Sequence, residues 1–187
     1  MNIRDLEFRM YGFVPMQLTG IQKGIQFQHA VTEYMTRFPM SEDVLDELGK
    51  WAHYDKTSIV LNGGSTNLDL KSRFYGGMNK ILDELEANFP ELNIAKFYEP
   101  DLGNQLTAFC FLVDERVWNT EKYPDFRDWV IKEYSLQYWE TNLQDMKKIG
   151  TTDIKTWFSD LYTDWQNIIG NDKNLFLRDY LKQFKLA

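Results

Sequence analysis

The chain has 187 residues, 43% of them hydrophobic and 16% aromatic, enough to bury a sizeable core. With 21 basic and 28 acidic residues the net charge is −7, which argues against a general nucleic-acid binder, whose footprint is basic. One cysteine excludes an intrachain disulfide, and two histidines beside it leave no metal-site spacing.

Residues 1–7 are charged and lack the apolar segment of a secretory signal, and no window approaches the roughly 18 apolar residues of a membrane span. A cytoplasmic protein with no membrane contact is expected. Residues 8–16 read as a first strand, because 10–16 is an apolar run. Residues 20–38 take helical periodicity and end at Phe38-Pro39. Their apolar stripe, Gly24, Phe27, Val31, Tyr34, Met35 and Phe38, is expected to face the core. Ser41, followed by Glu42 and Asp43, is a good N-cap for a second helix through about His53. Its apolar face is Val44, Leu45, Leu48, Trp51 and Ala52.

Residues 57–61 form a short second strand, stopped by Asn62-Gly63-Gly64, and a polar loop covers 65–73. Gly76-Gly77 leads into a third helix, with Met78, Ile81, Leu82, Leu85 and Phe89 at helical spacing before Pro90. Residues 94–98 are a third strand closed by Glu99-Pro100-Asp101. Residues 106–113 are apolar enough for a central strand, with Cys110 as a small core side chain. The turn Leu102-Gly103-Asn104 makes these two strands a hairpin. The order β-α-α-β-α-β-β predicts an α/β fold, a small mixed four-stranded sheet flanked by helices.

The texture changes near Trp118. Residues 121–187 hold no strand-like run but hold 13 of the 29 aromatic residues, among them Trp129, Trp139, Trp157 and Trp165. Residues 124–146, 152–169 and 174–184 read as three helices. Thr151 or Thr152 caps the second, and Gly150 and Gly170 stand where C-terminal glycines belong. The expected organisation is a mixed-sheet domain over 1–120 and a helical extension over 121–187 packed on it. The aromatic residues suit a core first, and an interface with a second copy of the chain second.

An α/β sheet keeps its ligand site beyond the carboxyl ends of its strands. The Gly- and Gln-rich segment 20–31 lies at such a junction. Gln22, Gln26, His29 and Glu33 are spaced four, three and four apart and share one stripe. That stripe is either a solvated helix face or a site. In the second case His29 is an acid/base or hydrogen-bond donor, and Lys23, near the helix start, an anion contact. Asp101 is either a turn residue or an orienting carboxylate, with Thr107 in position to bond to it. Glycines at 63–64 and 76–77 match no nucleotide fingerprint and read foremost as a loop and a helix start. His53 reads as structural. The candidate catalytic residues are therefore Lys23, His29 and Asp101, and the candidate ligand contacts Gln22, Gln26 and Thr107. No cofactor and no metal is implied.

Lys23, the run Gln26-Phe27-Gln28-His29-Ala30 and Pro100-Asp101 resemble the archaeal/eukaryotic type of peptidyl-tRNA hydrolase. That family carries a Gln-x-x-His-Ala helix after a Lys-containing segment, then a Trp-bearing helix, and an Asp-led loop before its last strand. The resemblance covers residues 8–114 and implies a mixed four-stranded sheet with helices on its faces. It further implies that Lys23, His29 and Asp101 sit near a site that cleaves the ester between peptide and tRNA. Here Asp101 and Thr107 stand further apart than in the family's Asp-Ala-Gly-x-Thr turn. Lys23 lies six residues before His29, one fewer than usual, and the helical tail has no counterpart. Residues 1–120 carry −6 of the charge (11 basic, 17 acidic), a poor surface for tRNA phosphates. The expected function is a divergent relative that binds a small polar ligand or a protein partner. The alternatives are a hydrolase of aminoacyl or peptidyl esters, and a structural or homo-oligomer-forming protein.

Overall fold

A strand covered on both faces is apolar at every position, not at alternate ones, and this marks the centre of the sheet. In the computed structural model, which describes residues 6–38, 42–66, 76–170 and 172–187, Phe8–Val14 (β1) is such a strand, buried at all but one residue. Gln105–Asp114 (β4) is another, buried from Leu106 to Val113. With Thr57–Asn62 (β2) and Ala95–Glu99 (β3) they form a mixed four-stranded sheet in the order β2-β1-β4-β3. β1 is parallel to β2 and antiparallel to β4, and β3 is antiparallel to β4. β1, β2 and β3 thus run the same way, and their carboxyl ends share one rim.

The helices are Gly20–Arg37 (α1), Glu42–Lys50 (α2) and Gly77–Asn88 (α3). α2 runs on into a π-helical turn, Trp51–Asp55, that closes at Lys56 in the left-handed region (φ 51°). The Ser41 cap and the loop beyond Thr66 lie outside the described residues. α1 covers one face of the sheet and comes so close over Gly12 that a Cβ there would overlap the Phe27 ring. Its buried stripe is Phe27, Ala30, Val31 and Tyr34. Gly24 and Met35, expected to face the core, are exposed on the flank of that stripe. Leu45 of α2 is exposed as well. On the other face Phe13 stacks on Phe109 (4.9 Å) and meets Phe184 edge-on (4.8 Å). α3 approaches there, its Met78 lying against Gly63.

Two compact units emerge, Met1–Asp114 with Leu181–Ala187, and Glu115–Tyr180. The last seven residues, read from sequence as part of the helical extension, belong with the sheet. Phe184 packs on Phe13, Lys185 O accepts from Asn62 N (2.9 Å), and Ala187 N donates to Val60 O (3.0 Å).

In the helical unit the helices are shorter than their periodicity suggests. A short helix, Glu115–Trp118 (α4), comes first. The span expected as one helix over 124–146 divides into Phe126–Glu133 (α5) and Leu136–Lys148 (α6). Ser135 is the break, because its hydroxyl caps Tyr138 N (3.1 Å). The next span divides into Ile154–Trp157 (α7) and Ser159–Ile169 (α8), capped at Asp153 rather than at either threonine. Asp172–Leu181 (α9) follows. Phe126 is the hub of the core, with Trp139, Phe158, Tyr162 and Trp165 all edge-on to it at 5.0–6.1 Å. No helix among the described residues is long and apolar enough to cross a membrane.

Candidate functional site

The shared rim gathers the start of α1, the end of β3 and the start of β4. Thr19 opens α1 with a reciprocal cap: Gln22 N donates to the Thr19 hydroxyl (3.4 Å) and Thr19 N to Gln22 Oε1 (3.0 Å). Gln22, a candidate ligand contact, is thereby engaged in holding the helix end.

One turn on, Gln26 makes the central contact of the rim. Its Nε2 donates to Glu99 Oε2 (2.7 Å), and its Oε1 accepts from the Thr107 hydroxyl (2.5 Å). Thr107 was expected to bond to Asp101; its hydroxyl goes to Gln26 instead. The cause is a β-bulge. Phe97 pairs with Ala108 and Tyr98 with Leu106, so Thr107 is the extra residue on β4. A bulge turns a side chain away from strict alternation, and Thr107, 1% exposed, meets the α1 side of the sheet. Glu99 lies on that same side, two residues beyond Phe97. Neither the bulge nor Glu99 was singled out from the sequence. The Glu99-Pro100 junction was the available signal, read there for Asp101.

His29 stacks on Phe97 with ring centroids 4.4 Å apart and planes 21° from parallel. Its ring direction is therefore set, one turn below Gln26. Lys23 precedes Phe27 by four residues and Ala30 by seven, so it extends the sheet-facing stripe past the strand ends. It is half-buried there. Six residues separate it from His29, about 9 Å of helix rise, and Gln26 stands between them. Asp101 is exposed on a 3₁₀ turn, Pro100–Leu102, that Gly103 closes in the left-handed region (φ 67°). Of the six candidates the structure joins Gln26 and Thr107 directly. Lys23 and Asp101 stand at the same rim, and His29 lies below it against β3.

The glycine segment packs tightly. Gly63 N donates to Val14 O (3.0 Å) and Gly64 N to Asn62 Oδ1 (2.9 Å), so neither amide is turned to an anion. A Cβ on Gly77 would stand 2.6 Å from Gly63 O, which explains glycine at the start of α3. Burial pushes the Cys110 thiol well above its ordinary value of 9.0. Tyr34 is raised too, by burial first and then by the Glu47 charge. Both lie on the α1 side of the core.

Comparison of the chain with family models, with curated proteins and with solved structures returns no match.

Proposed function

We propose that this chain is a divergent relative of the archaeal/eukaryotic peptidyl-tRNA hydrolases and that it binds a small polar ligand at the rim where β1, β2 and β3 end. The Thr107–Gln26–Glu99 chain carries this reading. A glutamine amide offers two N–H donors and two acceptor lone pairs. Thr107 and Glu99 take one of each and fix the amide plane, leaving one donor and one acceptor at a set angle. Lys23 adds a cation beside the positive end of the α1 dipole, where an anionic group is favoured. The flat-held His29 ring offers a further hydrogen bond.

The acidic sheet unit favours a ligand smaller than a whole tRNA, since long phosphate backbones meet repulsion. The wider spacing from Asp101 to Thr107 supports divergence within the family pattern. Between them lies the 3₁₀ turn, and the bulge aims the threonine at Gln26.

The test uses an aminoacyl-adenosine analogue with an amide in place of the ester, followed by NMR. Shifts at Lys23, Gln26 and Glu99 are expected, with affinity about tenfold weaker in Gln26→Ala, the loss of one charge-assisted bond network. Peptidyl-tRNA is expected to stay intact with wild type and His29→Ala alike. Release by wild type and not by His29→Ala would replace the binding reading with the hydrolase. An analogue that shifts no rim resonance would end both.

A further inference from the structure

The helical unit holds a cavity that takes no part in the rim and does not depend on the reading above. It opens between α8 and α9, and its volume is about 520 Å³, a size usual for small-molecule sites. Tyr162 and Trp165 stand three residues apart on α8, while Asp172, Phe176 and Asp179 follow at spacings of four and three on α9. One face of each helix therefore forms a wall. The aromatic rings are already held in place. Phe126 packs on Tyr162 (5.0 Å) and Trp165 (5.6 Å), and Phe176 stacks on Tyr180 (4.8 Å). A ligand would not have to order them.

The polar groups of the cavity carry both signs. The Arg178 side chain, 2% exposed, donates Nη1 to Arg116 O (2.7 Å) and Nη2 to Asp125 Oδ1 (2.6 Å). A guanidinium has five N–H groups, so these two bonds anchor it without exhausting it. Lys155 Nζ lies 5.4 Å over the Tyr162 ring, so that aromatic face already accepts a charged group. Asp172 and Asp179 line the α9 wall. Asp125, already bonded to Arg178, is a third carboxylate of the lining, so a simple anion meets net repulsion, and a simple cation meets Lys155. A molecule bearing both charges beside an apolar group satisfies all three surfaces.

We propose that this cavity binds a free α-amino acid with an aromatic or large apolar side chain. Its carboxylate faces Lys155 and Arg178, its ammonium faces Asp172 and Asp179, and its side chain lies against Trp165 and Phe176.

The experiment titrates the full chain with L-phenylalanine, 3-phenylpropionate, phenethylamine and glycine, read by calorimetry and tryptophan fluorescence. L-Phenylalanine is expected to bind saturably, and each of the other three at least about tenfold more weakly, since each lacks one of the three groups. Lys155→Met should weaken L-phenylalanine and leave phenethylamine unchanged. Asp172→Asn should weaken L-phenylalanine and leave 3-phenylpropionate unchanged. Both positions are exposed, and circular dichroism checks that each variant folds. Phenethylamine or 3-phenylpropionate binding as tightly as L-phenylalanine would overturn the zwitterion assignment. So would indifference to both substitutions, or no saturable binding of any probe.

Discussion

The sheet unit and the helical unit bury their aromatic residues in different ways. In the sheet, Phe13, Phe109 and Phe111 lie along adjacent strands, each wholly buried, and ring contacts run in a short chain from Phe109 to Phe13 to Phe184. In the helical unit five rings, those of Trp129, Trp139, Phe158, Tyr162 and Trp165, gather around one, Phe126. A strand buried on both faces distributes its contacts down its length. Short helices meet at a point, so their core concentrates on whichever side chain stands there. The same contrast places polar chemistry. The sheet puts it at a rim, where strands end and backbone groups lack ladder partners. The helices leave it in a wedge between two amphipathic faces.

The sharpest break of this contrast is Phe126→Ala. Removing a buried Phe costs about 3–5 kcal/mol, and here the loss falls on every ring around it. Urea unfolding followed by tryptophan fluorescence should show the largest destabilisation of any single substitution considered. Phe109→Leu, in the distributed core, should cost clearly less in the same assay. Next comes Gly12→Ala, which sets a methyl against the Phe27 ring and 2.9 Å from Phe109 O. Overpacking of this kind costs about 1–3 kcal/mol. A parallel substitution at Gly24, exposed and clear of neighbours, should be neutral or stabilising.

Thr107→Val keeps the shape of the bulged residue and removes its hydroxyl. Gln26 Oε1 then loses its donor, a cost of about 1 kcal/mol, and the amide plane is released. The unfolding midpoint should fall slightly, while affinity for the adenosine analogue should fall more. Equal affinity in the variant would separate Thr107 from the rim's function. The smallest effect is absent at neutral pH. Because burial raises Cys110, the native state keeps its proton where the unfolded chain gives it up. Its contribution is full below the ordinary thiol value of 9.0 and is lost as the pH climbs beyond it. Tyr34 adds a second decline above its ordinary 10.0. Unfolding midpoints through an alkaline pH series should flatten near the first step in Cys110→Ala and retain the second.

Several features followed from the sequence alone. Runs of apolar residues determined the two central strands, β1 and β4, because burial on both faces leaves no room for alternation. The spacing of Gln22, Gln26, His29 and Glu33 showed that they share a helix face, whereas the capping pair Thr19 and Gln22 emerged only in the folded chain. The cuts at Ser135 and Phe158 were not visible in that way, since the apolar period runs across them and only the local caps and the packing around Phe126 end each helix. Likewise the placement of residues 181–187 depended on Phe13 and β2, which are remote in sequence. The partner of Thr107 depended on a bulge, and a bulge is a mismatch between two strands. No single strand's pattern records how it is paired, so tertiary structure decided that Gln26, and not Asp101, receives the threonine.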